Sequence, residues 1–435
     1  MNWLIGAILI LLLALIFDFG LLVYAMYALL GVLLVSRFLT RRWAESLAAT
    51  RECNRLTANI GDTVTIVVRV ANRGWLPIPW LLLEDLLPRQ ALIHEPPNLK
   101  VQGRRVQLAM LRGGGVKSLL YQLTCNRRGY YQLGPLVLET GDLFGLHRRY
   151  RVVSDPHFLL VYPQVVPLEG FDIASRRPIG EVRMSYRLYE DPTRIAGVRQ
   201  YEAGDPLNRV NWKATARTGK LHSKVYEPST VAGVTILLDF HQQSHDPRHE
   251  PARSELAVTA AASLANAVYE MGQQIGLVTN GRDAADRIRQ EGWDYDLRSR
   301  DAARRAASMA DASDRLRPVV VPTGRGPEQL LRIFETLARV ELSDGLTLAQ
   351  LIGETTSRLP RDATLVAILP AVSEEAVITL GNVKRRGFAV TAILNLWEEY
   401  DFAQASGPLL AQGITTRHLK DQAHIVALCR DFILR

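Results

Sequence analysis

The N-terminal segment constrains the fold most strongly, because it is more apolar than the surface of a soluble domain. Between residues 3 and 35 there is one charged residue, Asp18. As a single helix this run would be about 50 Å long, whereas the hydrocarbon core of a bilayer is about 30 Å thick. A Phe-Gly pair follows Asp18, and a polar residue beside a helix breaker is typical of a turn. The sequence therefore predicts a transmembrane helical hairpin in residues 1–36, with arms over 2–17 and 20–36. One tilted span is the alternative.

Charge next to this segment predicts its orientation. Arg37, Arg41 and Arg42 follow the apolar run directly, in a predicted juxtamembrane segment of residues 37–52. Cations flanking a membrane helix favour the cytoplasmic side. We therefore expect the plasma membrane as the location, with everything downstream in the cytoplasm.

The overall charge bounds the class of partner. The chain of 435 residues has a formal net charge of +8, which suits an anionic lipid surface or an acidic protein. No aromatic-interleaved basic groove or reader motif for nucleic acid is recognisable, so we expect no nucleic-acid partner. The three cysteines are odd in number and far apart, which argues against a disulfide framework.

Residues 53–167 have the pattern of a small β-sandwich. Short alternating segments are separated by Gly and Pro signals, and no convincing helix interrupts them. The predicted strands are Thr63–Val70, Leu81–Asp85, Arg105–Leu111, Ser118–Cys125, Gly129–Leu133 and Leu136–Thr140. Four aromatic residues here are expected to pack in the core and at strand ends rather than to form a binding patch: Trp75, Trp80, Tyr130 and Tyr131.

Residues 233–435 alternate between strand and helix. This order predicts a doubly wound α/β domain with parallel strands and helices on both faces. The predicted strands are Val234–Asp239, Ile275–Thr279, Arg317–Pro322, Leu365–Leu369 and Ala389–Leu394. The predicted helices are Arg253–Met271, Pro327–Glu341, Glu374–Arg386 and Asp421–Ile433. Residues 281–315 read as a charged surface helix or a mobile insertion.

Between these domains lie a basic linker, residues 168–197, and a denser segment, residues 198–232. In the latter, Asp205 is placed to cap a helix and Gly219 to end it. Three cations recur every four residues on that predicted helix and so share one face: Arg209, Lys213 and Arg217. Two interpretations remain open: a structural salt-bridge network with nearby acids, or a docking surface for an anionic partner.

The same segment resembles a bacterial family of membrane-tethered proteins, domain of unknown function 58. The residues that carry the resemblance are Tyr201, Gly204, Asp205, Arg209, Trp212, Ala216, Arg217 and Leu221. Residues 128–146 and 161–168 resemble the same family. The resemblance implies the bacterial inner membrane, a von Willebrand factor A-like C-terminal domain and a MoxR-type AAA+ ATPase as partner. It implies no reaction.

A metal site is the first alternative to an interaction role. Asp239 ends the first predicted strand of the α/β domain, where ligands bind in such folds. The resemblance to von Willebrand factor A domains implies a D-x-S-x-S metal motif at this turn. Here His241 stands at the first serine position, a glutamine stands at the second, and Ser244 is one place late. Because Mg²⁺ prefers hard oxygen ligands, we expect no metal cofactor, with Mg²⁺ at a degenerate site as the alternative.

Histidines in the same stretch raise the question of zinc. His241, His245 and His249 recur every four residues, the spacing that places two zinc ligands on one helical face. Pro247 would interrupt such a helix. We therefore favour a solvated loop with incidental histidines.

No other enzymatic motif is recognisable. Residues 214–221 lack the first glycine and the final Ser/Thr of a P-loop, and no G-x-S-x-G elbow or cysteine nucleophile motif is present. The sequence thus favours a non-enzymatic, membrane-anchored scaffold or co-chaperone that binds a MoxR-type AAA+ ATPase and an unknown client protein. The alternative is a metal- or anion-dependent enzyme, or a metal-dependent adhesion module, at Asp239.

Overall fold

The computed structural model describes residues 2–17, 20–145, 147–167, 190–202, 210–228, 233–286, 316–360 and 363–433. The chain divides into two compact units. The first comprises Met1–Gln164, Gly281–Val319 and Phe334–Leu346. The second comprises Val165–Asn280, Val320–Ile333 and Thr347–Arg435. Each is described by itself.

The first unit begins with two apolar helices, α1 (Asn2–Ile16) and α2 (Gly20–Ser46). They pack on each other through Ala7, Met26 and Leu33, while most of their other large apolar side chains are exposed. Helix α2 is long and apolar enough to cross a bilayer, whereas the apolar part of α1 is shorter. The turn expected at Asp18 and Phe19 lies outside the described residues.

Helix α2 differs from the predicted second arm, which was placed at residues 20–36. It continues to Ser46, and strand β1 (Leu47–Cys53) follows immediately. Residues 37–46 contain neither Gly nor Pro, so nothing in them stops the helix. The predicted juxtamembrane segment, residues 37–52, is therefore the last part of a helix and the first strand of a sheet.

The β-rich part of the first unit forms three sheets and one short helix. After β1 its elements are β2 (Thr57–Asn59), β3 (Thr63–Asn72), β4 (Ile78–Asp85), α3 (Arg89–Ile93), β5 (Leu99–Gly103), β6 (Val106–Leu111), β7 (Val116–Cys125), β8 (Gly129–Leu133), β9 (Leu136–Gly141), β10 (Arg148–Ser154) and β11 (His157–Tyr162). The sheet orders are β1-β3-β7-β5, β10-β9-β4-β6 and β2-β11-β8. The pairs are antiparallel, except that β11 runs parallel to β2.

The two four-stranded sheets share one core, as the predicted sandwich requires. In β3, alternate residues from Val64 to Val70 are buried and the others are more exposed, which is the period of a half-buried strand. Buried leucines of β4, β7 and β9 join the same cluster. Two short strands, β16 (Arg282–Asp283) and β18 (Val340–Glu341), pair antiparallel elsewhere in this unit.

All six strands predicted in residues 53–167 are present, but the expectation for Trp75 is wrong. Its side chain is 85% exposed, because it lies in the turn between β3 and β4. Tyr131 is buried as predicted. Five strands of this part were not predicted: β1, β2, β5, β10 and β11. All of them except β11 lie at the edge of a sheet, where the sequence is polar or mixed.

The second unit contains a two-stranded antiparallel sheet and an α/β domain. Its strands are β12 (Glu190–Gln200), β13 (His222–Pro228), β14 (Gly233–Leu238), β15 (Gln274–Thr279), β17 (Val319–Gly324), β19 (Ala363–Leu369), β20 (Val390–Leu394) and β21 (Thr415–His418). Its helices are α4 (Trp212–Thr218), α5 (Ala252–Glu270), α6 (Pro327–Arg339), α7 (Leu348–Thr355), α8 (Glu374–Arg385), α9 (Glu399–Ala411) and α10 (Gln422–Ile433). Helix α6 belongs to this unit only as far as Ile333. The predicted linker, residues 168–197, lies outside the described residues up to position 189 and then forms part of β12.

The six-stranded sheet has the order β17-β15-β14-β19-β20-β21. The pairs β14–β15, β14–β19, β19–β20 and β20–β21 are parallel. Every residue of the central strand β14 is buried, as expected for a strand covered on both faces. Helix α5 packs with α10, and α8 packs with α7 and α9. The strand order reverses between β14 and β19, and this switch point positions the polar residues described below.

Candidate functional site

Helix α4 is the centre of the signature segment, residues 198–232. The Asn211 side chain caps it by accepting the N–H of Ala214 at 3.2 Å. Gly219 ends it in the left-handed conformation, with φ +67°, and its N–H donates to the Thr215 carbonyl. The predicted stop is therefore confirmed.

The predicted start of this helix is wrong. Val210 pairs with Ser223 in an isolated antiparallel bridge, so the backbone there is extended and a helix begun at Asp205 cannot run through it. The local sequence explains the later start, because Asn211 is itself a good N-cap residue. Gly204, Asp205 and Arg209 lie outside the described residues.

Backbone hydrogen bonds attach α4 to the two-stranded sheet. The Asn211 N–H donates to the His222 carbonyl at 2.8 Å, and the Tyr201 N–H donates to the Leu221 carbonyl at 2.9 Å. The Thr215 hydroxyl accepts the N–H of His222 at 3.1 Å. These polar bonds hold the helix at its base and leave its outer surface open.

No residue of α4 is buried. Trp212 is 69% exposed, and Lys213 and Arg217 are exposed one turn apart, as the spacing predicts. Within the described part of the chain, neither cation takes part in an ion pair, while the nearby Glu202 pairs with Arg199 at 3.5 Å. The structure thus exposes Trp212, Lys213 and Arg217 on one short helix, with the two cations one turn apart.

The second candidate site lies at the carboxyl ends of the parallel strands. Asp239 directly follows β14 and is buried. Its Oδ1 atom accepts a hydrogen bond from the Asn280 amide at 2.8 Å and from the His241 N–H at 3.1 Å. Asn280 in turn accepts the N–H of Phe240 at 2.6 Å. Asp239 therefore fixes the turn after β14 to the end of β15.

His245 extends this network towards helix α5. Its Nδ1 atom lies 2.8 Å from Glu250 Oε1, and its Nε2 atom lies 3.3 Å from the Asp239 carbonyl oxygen. The Ser254 hydroxyl donates to the other oxygen of Glu250. Burial raises the pKa of Glu250, but the hydrogen bonds from His245 and Ser254 outweigh it and leave this pKa below its ordinary value. Glu250 is thus a partly buried carboxylate with hydrogen-bond partners for both oxygens.

Arg253 ties together the loops after β20 and β21. Its Nη1 atom donates to Asn395 Oδ1 at 3.2 Å and to the Lys420 carbonyl at 2.8 Å. Its guanidinium carbon lies 4.9 Å from the centre of the Trp397 ring. The Asn395 amide donates back to the Arg253 carbonyl at 2.8 Å. Sequence reasoning missed this residue, because an arginine in the first turn of a helix normally reads as solvated.

The geometry does not favour the metal hypotheses. No group of three potential metal-ligating side chains occurs among the residues that the structure describes. Asp239 Oδ1 is occupied by two donors, and the predicted candidates lie in a loop with two short 3₁₀ helices, Gln242–Ser244 and Pro247–His249. His249 stacks on Trp397 with ring centres 5.9 Å apart, so the three histidines share no helical face. The loop is not simply solvated, since His241 and His245 are buried.

Two of the three free cysteines offer no reactive thiolate. Cys125 and Cys429 are buried, and burial raises the pKa of Cys125 to about 11 and that of Cys429 to about 12. A thiol with such a pKa is protonated at neutral pH and is a poor nucleophile.

The first unit contains one further buried polar cluster. The Arg51 guanidinium donates to both carboxylate oxygens of Asp85, and the Tyr121 hydroxyl donates to Asp85 at 2.7 Å. Arg51 also donates to the carbonyls of Leu133 and Asp155, at 3.0 and 2.9 Å. Both charged side chains are fully buried, which marks the cluster as structural.

The described residues form apolar helices, a β-rich part and an α/β part, and segments of the chain are similar to known proteins. Residues 197–294 match the family model of the protein of unknown function DUF58. The uncharacterized protein YeaD of Bacillus subtilis (strain 168) is 24% identical over 261 residues, which cover 60% of this chain and 62% of that protein. Both findings support the DUF58 family, although the match spans less than two thirds of the relative.

Similar solved structures add little. The CARDB domain of a Pyrococcus furiosus protein is 11% identical with a TM-score of 0.19, over 26% of this chain and 86% of that one. Proximal thread matrix protein 1 from the mussel byssus is 10% identical with a TM-score of 0.29, over 46% of this chain and 47% of that one. These scores are too low to support a conclusion.

Proposed function

We propose that this chain is a membrane-anchored, non-enzymatic scaffold or co-chaperone that works with a MoxR-type AAA+ ATPase and presents a client protein to it. The apolar helices hold it in the bacterial inner membrane, with both units in the cytoplasm. The α/β unit serves as a von Willebrand factor A-like binding module. The observation that carries the proposal is the open surface of α4, defined by Trp212, Lys213 and Arg217.

This surface has the composition of a protein-binding site. Tryptophan and arginine are enriched among the residues that dominate binding energy at interfaces. An exposed tryptophan beside two cations without ion-pair partners, in the described part of the chain, suits a partner with an apolar pocket and an acidic rim. Charge complementarity of this kind steers association and fixes the orientation of the partner.

The membrane anchor rests on the first two helices. Their large apolar side chains face outward, and such a surface needs a lipid or protein cover. Arg37, Arg41 and Arg42 follow the apolar part of α2, and cations there favour the cytoplasmic side. An AAA+ partner would meet the protein in that compartment.

The non-enzymatic assignment rests on the strand ends. The polar side chains at the switch point are engaged with one another: Asp239 with Asn280, and Glu250 with His245 and Ser254. A catalytic group must instead reach a substrate atom within hydrogen-bond distance. The network therefore favours a role in fixing loops.

The proposal is tested by co-purifying the full chain, solubilised in mild detergent, with a purified MoxR-type ATPase in the presence and absence of ATP. Trp212→Ala and the double variant Lys213→Glu with Arg217→Glu should each lower the captured ATPase at least tenfold, since interface hot spots are worth about 2 kcal/mol or more. Trp75→Ala is the matched control, because Trp75 is also exposed but lies in the first unit.

Equal capture by the Trp212 and Trp75 variants would exclude α4 as the docking surface. Loss of capture by Asp239→Asn, in a protein that remains folded, would instead favour the strand-end site and the metal- or anion-dependent alternative.

A further inference from the structure

The turn between β9 and β10 carries an apolar tip. Strand β9 ends at Gly141, where a Cβ atom would lie 2.7 Å from both the His147 carbonyl and the Trp80 ring, so a side chain does not fit. Gly145 has φ +72°, a conformation that favours glycine. Between these glycines, Leu143 and Phe144 are 76% and 72% exposed. Two adjacent large apolar side chains at a turn tip are costly in water unless something covers them.

Buried hydrogen bonds tie this turn to helix α2. The Ser36 hydroxyl donates to Asp142 Oδ2, and Ser36 Oγ also lies 3.0 Å from His147 Nδ1. Asp142 is held further by the Trp80 indole N–H, which donates to its carbonyl at 3.1 Å. Since Ser36 and Asp142 are both buried, leaving either one unpaired would be unfavourable. The turn is therefore fixed at the level of Ser36.

A second set of bonds holds the same region. The Arg151 guanidinium donates to the carbonyls of Ala44, Glu45 and Leu47 at 2.8, 3.0 and 3.2 Å. The bonds to Ala44 and Glu45 satisfy carbonyls at the end of α2, which have no partner within the helix, and the third reaches the first residue of β1. Strands β9 and β10 thus pack along the end of α2, and the tip cannot move freely away from it.

The level of Ser36 is the predicted edge of the hydrocarbon layer. The apolar part of α2 ends at Val35, and the first cation is Arg37. The headgroup layer on each side of a bilayer is about 5–8 Å thick. Phe144 is two residues from Asp142, which spans at most about 7 Å. Leu143 and Phe144 are therefore within reach of the headgroup layer.

We propose that Leu143 and Phe144 insert into the lipid headgroup layer and form a second membrane contact that fixes the first unit against the bilayer. This inference rests on the membrane anchor of the proposed function. The occupant is lipid, because the turn that carries the tip is hydrogen-bonded to α2 at Ser36, directly after the apolar run ends. Arg148 and Arg149 are exposed at the start of β10, directly after the tip, and cations close to a membrane are attracted to anionic lipid.

Spin labels in the full chain test this contact. The chain is reconstituted in vesicles of phosphatidylcholine and phosphatidylglycerol, with a nitroxide attached to Phe144→Cys in a Cys53→Ala background. The other two cysteines are buried and escape the label. Val116→Cys, 61% exposed in the same unit, is the control for water, and Leu29→Cys in α2 is the control for lipid.

We expect the ratio of collisions with oxygen to collisions with a water-soluble nickel chelate to be several-fold higher at position 144 than at position 116. A ratio at 144 equal to that at 116, with a lipid-like ratio at 29, would overturn the insertion of the tip and leave the anchor intact. A water-like ratio at 29 would overturn the anchor itself, and the proposed tip contact with it.

Discussion

Each of the two units contains a buried arginine, Arg51 in the first and Arg253 in the second. The two differ in the groups that surround the guanidinium. Arg51 in the first unit meets a carboxylate, since Asp85 accepts two of its hydrogen bonds and lies in the same fully buried cluster. Arg253 in the second unit has an amide oxygen, backbone carbonyls and an aromatic ring around it. Its Nη2 atom has no hydrogen-bond partner among the residues that the structure describes. Burial lowers the pKa of Arg253, and the charge of Asp421 opposes this only in part.

Burial alone therefore does not assign a role to a charged residue. Arg51 and Asp85 neutralise each other and join β1 to β4 inside a sandwich, so the pair is a fixed part of the core. The positive charge of Arg253 is balanced by dipoles, which hold the loops after β20 and β21 more weakly. The strand ends of the α/β unit are therefore easier to rearrange than the interior of the β-rich unit.

The largest expected effect is that of Arg51→Ala. The substitution leaves the Asp85 carboxylate buried and without its cation, which costs about 3–5 kcal/mol. Hydrogen exchange of β3 and β7, followed by mass spectrometry, reports the free energy of opening of this unit. Arg69→Ala is the control, because Arg69 pairs with Glu52 at 3.2 Å on the exposed surface, where an ion pair is worth about 0–1 kcal/mol. Equal losses of stability for Arg51→Ala and Arg69→Ala would contradict the conclusion that the buried ion pair contributes more than the exposed one.

A smaller effect is expected for Arg253→Met. The substitution removes the donor to Asn395 Oδ1 and to two carbonyl oxygens, but it leaves no buried opposite charge unpaired. We therefore expect the free energy of opening to fall by about 1–3 kcal/mol. Hydrogen exchange should accelerate in the segments after β20 and β21, while Arg248→Met, at an exposed position, leaves them unchanged. A loss of stability as large as that caused by Arg51→Ala would show that the two arginines contribute equally to the stability of their units.

The smallest effect concerns Glu250 and depends on pH. Because the pKa of Glu250 is lowered in the folded state, its contribution to stability is fully present above its unfolded pKa, about 4.3. The contribution is lost as the pH falls through the folded value. Glu250→Gln should therefore destabilise the second unit at pH 7 and approach the wild type below about pH 4.

Thermal unfolding across that pH range measures the difference. Glu354→Gln, on the exposed surface of α7, provides the baseline. A difference between wild type and Glu250→Gln that stays constant with pH would mean that the carboxylate is not stabilised by His245 and Ser254.

Local signals in the sequence predicted most of the elements. Gly219 ends α4 because only a residue that accepts φ > 0 fits there, and β3 alternates over its whole length. Prediction failed where two signals compete. Helix α9 was not predicted, because Pro408 within it is typical of a helix end. Val210 was assigned to a helix by its spacing, but it forms a bridge with Ser223, and this pairing has no local signal in the sequence.

Contacts between side chains far apart in the sequence could not be predicted from the sequence alone. Arg51 and Asp85 are both ordinary polar residues in the sequence, and only the packing of β1 against the core joins them. The same holds for Ser36 and Asp142, which lie 106 residues apart. On α4 the exposure of Lys213 and Arg217 one turn apart was predictable, since their spacing is itself a local feature; the docking role of this surface stays a proposal.

The central claim is that apolar helices tether an interaction module to the cytoplasmic face of the membrane. Protease added to intact spheroplasts, with immunodetection of a tag at the C-terminal end, tests it most directly. We expect both units to stay protected until the membrane is permeabilised and then to be degraded. Degradation of the tagged units in intact spheroplasts would place them outside the cell and contradict the account.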